Sequence, residues 1–402
     1  MISVEKALQV VLNTTQDFGV EQLPFIKASG RILKEEIFAD RDFPPFNRVS
    51  MDGIAIDFNS FNLGQRNFFI EGIQPAGSQQ TYLSSPKNCI EVMTGSVLPS
   101  NTNTVIRYED LTIVNGTATI DITSIKNQQC VHLKGKDGRA GDLLIQENTK
   151  ISAAEIGILS TVGKLYVKVA KLPKVMIIST GDELVGVDET PLIHQIRRSN
   201  VFTLVTLLEK LNIVSETAHI SDDKLVLKTT IEPYLNDYDV LLFSGAVSKG
   251  KFDFLPEILN ELGVDKLFHI VAQRPGKPFL FGEKKHIDEY KKSTVVFGLP
   301  GNPISTFVNC LVYFYPWFFT SNRIEIKKEM AALAEDFVFK PNLTYFLQVK
   351  LTHQLDHLIA TPIFGNGSGD LASLLHADAF IQLPQGQIEF KKGEVFPIIK
   401  YR

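Results

Sequence analysis

A chain of 402 residues is too long for one ordinary hydrophobic core, so several domains are expected. With 44% hydrophobic and 21% charged residues it has a globular composition, which excludes a disordered or fibrous chain. A formal net charge of -4 and a pI near 6.1 exclude a general nucleic-acid or membrane-surface binder, so any anion site must be local.

The first element is an amphipathic helix, because Val4, Ala7, Leu8, Val11 and Leu12 recur at helical spacing behind a Ser3 cap. No apolar segment follows a basic start, and no run reaches the roughly 20 apolar residues of a membrane span, so a cytoplasmic location without membrane contact is expected. Cys89, Cys130 and Cys310 are odd in number and far apart. They read as reduced thiols rather than as a disulfide or zinc framework.

From Pro44 to about Val131 short strand-like runs ("GIAIDF", "NFFIEGI", "VIRYEDLTIV", "TATIDITSI") are separated by Gly, Asn and Ser turns, which predicts a β-rich insert. Ser152 with Glu155 three residues later forms a capping box for the next helix. The predicted division is a split helical domain over residues 1–43 and 136–171, interrupted by a β-rich insert over 44–135. From Lys174 onward apolar strands ("KVMIIST", "VSETAHI", "DVLLFSG", "TVVFGLP") alternate with amphipathic helices ("NVFTLVTLLEKL", "KLVLKTTIEPYL", "FLPEILNEL"). That rhythm predicts a parallel, doubly wound α/β domain over 172–322, and the strands after it predict a C-terminal β domain over 323–402.

In an open α/β sheet ligands bind beyond the carboxyl ends of the strands. The segments expected there are "GDEL" with Asp182 and Glu183, "SDD" with Asp222 and Asp223, "AVSKGKFD" with Lys249, Lys251 and Asp253, "RPGKP" with Arg274 and Lys277, and "LPGNP". Carboxylates suit a hard divalent cation, whereas lysines and glycine-rich turns suit phosphate. The corner "VVFGLPGNPISTF" (Val295 to Phe307) then has two readings: a sharp turn, or a turn whose backbone approaches an anion. Taken alone, Asp222 and Asp223 read first as a helix cap, since acids favour a helix N-terminus. Neither GxxxxGK[ST] nor a GxGxxG after the first strand is present, which disfavours a P-loop ATPase or an ordinary dinucleotide dehydrogenase. His353 and His357 in "HQLDH" have a metal spacing only if helical, and their position between two strand-like runs favours a surface turn.

Nine segments in order, among them "PPFNRVSMDG", "MTGSVLP", "GKDGRAGDLL", "IRRSN", "SGAVSKGKFD", "RPGKPFLFG", "GLPGNPIST" and "GNGSGDLASLLHADAFIQLP", give the chain a resemblance to the molybdopterin molybdenumtransferase family, that is MoeA and the gephyrin E domain. The resemblance implies an α/β multidomain protein with a MogA-like doubly wound domain, a split helical domain, a β-rich insert and a C-terminal β domain. It implies a homodimer that contacts other cofactor-synthesis proteins and completes molybdenum cofactor synthesis, turning adenylylated molybdopterin and molybdate into cofactor and AMP. Carried over position by position, Asp52, Thr94, Glu183 and Asp253 would be catalytic, with Mg2+ held by Glu183 and Asp253. Lys277, Pro275, Gly276, Pro300, Gly301, Asn302, Asp137, Ser248 and Asp223 would bind substrate. One loop departs from the usual "SGGVSVGDYDY": here "SGAVSKGKFDF" puts Ala246 for a glycine, Lys249 for an apolar residue and Lys251 for an acid, while Asp253 is kept. Two other functions compete, a CinA-type nucleotide pyrophosphatase and a gephyrin-like non-enzymatic scaffold. The first leaves the "PPFNRVSMDG" and "TGSVLP" motifs without a role.

Overall fold

A computed structural model describes residues 1–245, 253–287, 292–354 and 357–402. Its central layer is a six-stranded sheet: β1 (Val175–Thr180), β2 (Ser215–Ile220), β3 (Val240–Ser244), β4 (Asp265–Ile270), β5 (Pro278–Lys284) and β6 (Thr294–Leu299), in spatial order β2-β1-β3-β6-β5-β4. Side chains alternate along each strand. Val175, Ile177, Leu242 and Phe297 face one core, shared with the Asn200–Glu209 helix. Met176, Ile178, Leu241 and Val296 face the other, shared with the Lys224–Asp237 and Leu255–Glu261 helices. Burial on both faces explains why β1, β3 and β6 read as unbroken apolar runs.

β2, β1, β3 and β6 are mutually parallel, whereas β5 runs antiparallel to both neighbours. The expected parallel sheet is therefore mixed at this edge. A parallel crossover needs about a dozen residues, and the short 271–277 link between β4 and β5 permits only a reversal. That reversal carries the "RPGKP" segment.

The Val4–Leu12 helix is capped by Ser3, whose Oγ accepts from the Lys6 N–H at 3.2 Å. It buries Val4, Ala7 and Val11 in the core of the α/β layer. It thus packs on that layer rather than on the flanking helical segment. Those flanks contribute the Ala153–Thr161 helix, with the expected Ser152/Glu155 capping box, and two antiparallel ribbons, Val20–Pro24 with Tyr166–Ala170 and Ile37–Phe38 with Leu143–Ile145. The insert forms its own six-stranded sheet, in which Asn88–Val92 is a strand the sequence pattern did not single out.

In the C-terminal region Thr344–Gln354 pairs with both His357–Pro362 and Ala379–Leu383, which closes the strands into a barrel. His353 and His357 lie on the two arms of this hairpin, so the helical metal spacing does not exist. Cys89 and Cys310 are buried and Cys130 half-buried, all three unpaired, and burial pushes the Cys89 thiol up to about 12. Among the described residues no helix is long and apolar enough to cross a membrane.

Candidate functional site

Beyond the carboxyl ends of β1, β3 and β6 lies a cavity of about 840 Å3. Its wall takes Thr180, Gly181 and Glu183 from the β1 end, Asp222 from the β2 end, Ser244, Gly245 and Asp253 from the β3 end, and Pro300, Gly301 and Asn302 from the β6 end. The β4–β5 reversal adds Arg274, Pro275, Gly276 and Lys277, and the barrel contributes Ser368 and Gly369. Of the residues carried over from the resemblance, Glu183, Asp253, Pro275, Gly276, Lys277, Pro300, Gly301 and Asn302 therefore share one cavity. Ser248, with Lys249 and Lys251, lies outside the described residues.

The "LPGNP" corner is held by a hydrogen-bond hub. The Asn200 side-chain amide donates to the Gly301 carbonyl at 2.7 Å and to Ser244 Oγ at 2.9 Å. Thr306 Oγ1 donates to the Pro300 carbonyl, and the Thr306 N–H donates to the Asn302 carbonyl at 3.0 Å. The barrel closes the corner from outside: Asn302 Nδ2 donates to Ser368 Oγ at 3.0 Å and the Ile304 N–H to the Ser368 carbonyl at 3.1 Å. Pro300, Gly301, Asn302 and Pro303 thus build a corner whose carbonyls are tied to the protein and which lines the cavity.

The acids separate into two groups. Asp223 Oδ1 accepts from the Leu225 and Val226 N–H groups, each at 2.9 Å, so it is the N-cap of the Lys224–Asp237 helix and does not line the cavity. The helix-cap reading of this acid therefore holds, and its carboxylate does not face the cavity in this structure. Asp222, one position earlier, does line it. Burial, followed by the negative charges of Asp182, Glu183 and Asp253, raises the Asp222 carboxyl above its ordinary range. Among the described residues no group of three or more His, Cys, Asp or Glu side chains is placed to hold a metal ion.

The insert residues are placed elsewhere in the chain. Asp52 Oδ1 accepts from the Thr94 N–H at 2.6 Å and from Thr94 Oγ1 at 2.7 Å, and these two donors hold its carboxyl below the usual range. Gly53 of the "MDG" turn is obligatory, since a Cβ there would stand 1.8 Å from the Ile106 carbonyl oxygen. Asp137 pairs with His132 Nε2 at 2.8 Å. Asp52, Thr94 and Asp137 are exposed and are not part of the cavity wall.

Arg198, Asn200 and Ser368 line the cavity but were not nominated from the sequence. The "IRRSN" and "GNGSGD" segments were the available signal, and only the fold shows which of their side chains turn inward. Arg198 Nε and Thr180 Oγ1 are buried and lack a hydrogen-bond partner among the described residues. Buried donors of that kind carry a desolvation cost unless a ligand meets them.

Cations, buried unpaired donors, tied peptide corners and carboxylates surround one cleft at the strand ends of a multidomain α/β protein. Residues 2–163 match the model of the MoeA N-terminal region (domain I and II), residues 176–318 that of a probable molybdopterin binding domain, and residues 330–401 that of the MoeA C-terminal region (domain IV). A molybdopterin molybdenumtransferase of Synechocystis is 41% identical over 99% of both chains. One of Staphylococcus aureus is 30% identical over 99% of this chain and 95% of its own. The structure of a molybdopterin biosynthesis MoeA protein from Pyrococcus horikoshii superposes with a TM-score of 0.84 at 25% identity, covering 100% of each chain. The chain belongs to the molybdopterin molybdenumtransferase (MoeA) family.

Proposed function

We propose that this protein inserts molybdenum into molybdopterin, consuming adenylylated molybdopterin and molybdate and releasing AMP with the finished cofactor. The observation that carries the reading is the cavity, which Lys277, Arg274 and Arg198 line together with the "RPGKP" and "LPGNP" corners. The phosphoanhydride of the adenylylated substrate and the molybdate oxyanion are both negative, and a site for the pair needs cations and desolvated donors close together. Lys277 binds phosphate as a point charge. Arg198 Nε and Thr180 Oγ1 supply buried donors with no partner among the described residues, which a bound anion would satisfy.

Carboxylates next to such ligands repel them unless a cation intervenes, and the Asp222 carboxyl is raised first by burial and then by the neighbouring negative charges. Mg2+ keeps several waters and uses one or two carboxylates plus substrate phosphates, so an open hard-oxygen set fits it better than a closed cage would. Glu183 and Asp253 would hold it, and its contribution would be to neutralise phosphate charge. The homodimer is part of the proposal. Asp52 and Thr94 on the insert, and Asp137 beside it, are exposed and lie off the cavity wall, and a second subunit's cavity would bring them to a substrate. Light scattering showing a stable, active monomer would rule the dimer out.

Two further readings are weaker. A pyrophosphatase confined to the α/β domain leaves the matched N- and C-terminal regions unexplained. A scaffold gives no reason for unpartnered donors in the cavity wall. Purified protein given adenylylated molybdopterin, molybdate and Mg2+ tests the transferase reading through AMP release that depends on molybdate.

A further inference from the structure

Behind the "RPGKP" turn lie three polar side chains with 0% exposure, Gln273, Asn309 and Tyr313. Burying three polar groups is costly unless each is paired, and here they pair with one another and with the turn. Tyr313 donates its O–H to Gln273 Oε1, which fixes which end of the Gln273 amide faces the turn. Gln273 Nε2 then donates to the Pro275 carbonyl at 2.9 Å and to Asn309 Oδ1 at 2.6 Å. Asn309 Nδ2 donates to the Gly276 carbonyl at 3.3 Å. The Lys277 carbonyl is tied inward as well, accepting from the Val271 N–H at 3.0 Å.

Two consecutive peptide carbonyls, those of Pro275 and Gly276, therefore point into the protein. In a planar trans peptide the N–H lies opposite the carbonyl, so the N–H groups of Gly276 and Lys277 point the other way, to the cavity side. Successive N–H groups aimed at one point form an anion-binding concavity. Only glycine fits at 276: its φ is +85°, and a Cβ would stand 2.5 Å from Asn309 Oδ1 and 2.9 Å from Gln273 Nε2.

We propose that Gln273, Asn309 and Tyr313 are positioning residues that hold the Gly276 and Lys277 N–H groups, together with the Lys277 side chain, as a preformed nest for the substrate's phosphoanhydride. Asn309 closes the Pro303–Asn309 helix, which begins at "LPGNP", and Tyr313 sits in the π-helical turn that continues it. The network thus also fixes the separation of the two anion-facing turns. The inference rests on the anion-binding reading of the cavity.

The test uses the full-length protein and the variants Tyr313→Phe and Asn309→Asp, with inorganic pyrophosphate as a binding probe followed by calorimetry. KM and kcat for AMP release and the melting temperature are read alongside. Both variants are expected to bind pyrophosphate about tenfold more weakly and to raise KM by a similar factor, with kcat nearly unchanged, because a preformed nest binds ground and transition states alike. Their double variant should fall short of the product of the single effects, since both act on the same turn, Tyr313 through Gln273 and Asn309 directly on the Gly276 carbonyl. If Asn309→Asp does not fold, Tyr313→Phe, which removes one oxygen, carries the same readout. Variants that melt earlier yet keep wild-type pyrophosphate affinity and KM would overturn the proposal, as would a wild-type protein that does not bind pyrophosphate. Wild-type protein that binds pyrophosphate but releases no AMP, with binding lost in the variants, would support the nest while refuting the transferase reading.

Discussion

The side-chain amide of Asn200 donates to the carbonyl oxygen of Gly301 at 2.7 Å, joining the "IRRSN" segment to the "LPGNP" corner across the carboxyl ends of β1, β3 and β6. Replacing it with alanine leaves that carbonyl and Ser244 Oγ without their donor. Asn200→Ala is expected to cost about 1–3 kcal/mol of stability and to lower kcat/KM by about tenfold or more, since a loosened corner no longer holds its place in the cavity wall. Thermal melts and steady-state AMP release check both, and wild-type kcat/KM would remove Asn200 from the site.

Asp222 and Asp223 should separate cleanly. Asp223→Ala removes a helix cap and is expected to destabilise by about 1 kcal/mol with kcat and KM unchanged. Asp222→Asn removes a carboxylate crowded by Asp182, Glu183 and Asp253. A carboxyl whose folded pKa is raised takes up its proton more readily in the native state, so it favours folding below its unfolded pKa and opposes it once pH exceeds the folded value. Asp222→Asn should therefore raise the melting temperature at pH 7, by an amount that shrinks as pH falls toward the unfolded carboxylate range of about 4, and it should lower activity. A melting temperature unchanged at pH 7 would contradict the crowding.

Thr94→Val deletes the hydroxyl donated to Asp52 and keeps the N–H. The Asp52 carboxyl, held low by both donors, should move back toward its ordinary value. The sign is opposite to that of Asp222: the stabilisation from a lowered pKa is present above the unfolded value and is lost as pH falls through the folded one. NMR titration of Asp52 in the variant should show an upward shift. An unmoved titration would show that the N–H alone sets it.

Lys277→Ala should raise KM for the adenylylated substrate about tenfold or more with a smaller change in kcat, because a point charge on phosphate acts in ground and transition state alike. Asp253→Asn should instead lower kcat at saturating substrate and Mg2+, where a carboxylate acting on developing charge is felt. Normal turnover of Asp253→Asn under those conditions would exclude it from the chemistry.

The α/β layer was legible because burial on both sheet faces writes unbroken apolar runs such as Val175–Ile178, and because helix caps such as Ser152 and Ser3 have local signatures. The reversed strand β5 was not, since strand direction depends on the length of the 271–277 link and not on strand composition. The site was half legible: turn chemistry marked "LPGNP" and "RPGKP", but the phase of one helix start decides that Asp223 caps while Asp222 faces the cavity. Asn309 and Tyr313 stand in the apolar run "FVNCLVYF", where a polar residue is conspicuous, yet their partner Gln273 is brought to them only by the tertiary fold.

The most direct test combines purified protein, adenylylated molybdopterin and Mg2+, with molybdate added or withheld, and quantifies AMP and molybdenum-loaded cofactor. AMP released in step with cofactor, and only when molybdate is present, is the predicted result. AMP release that ignores molybdate, or no AMP at all from folded protein, would contradict the assignment of this cavity to molybdenum insertion.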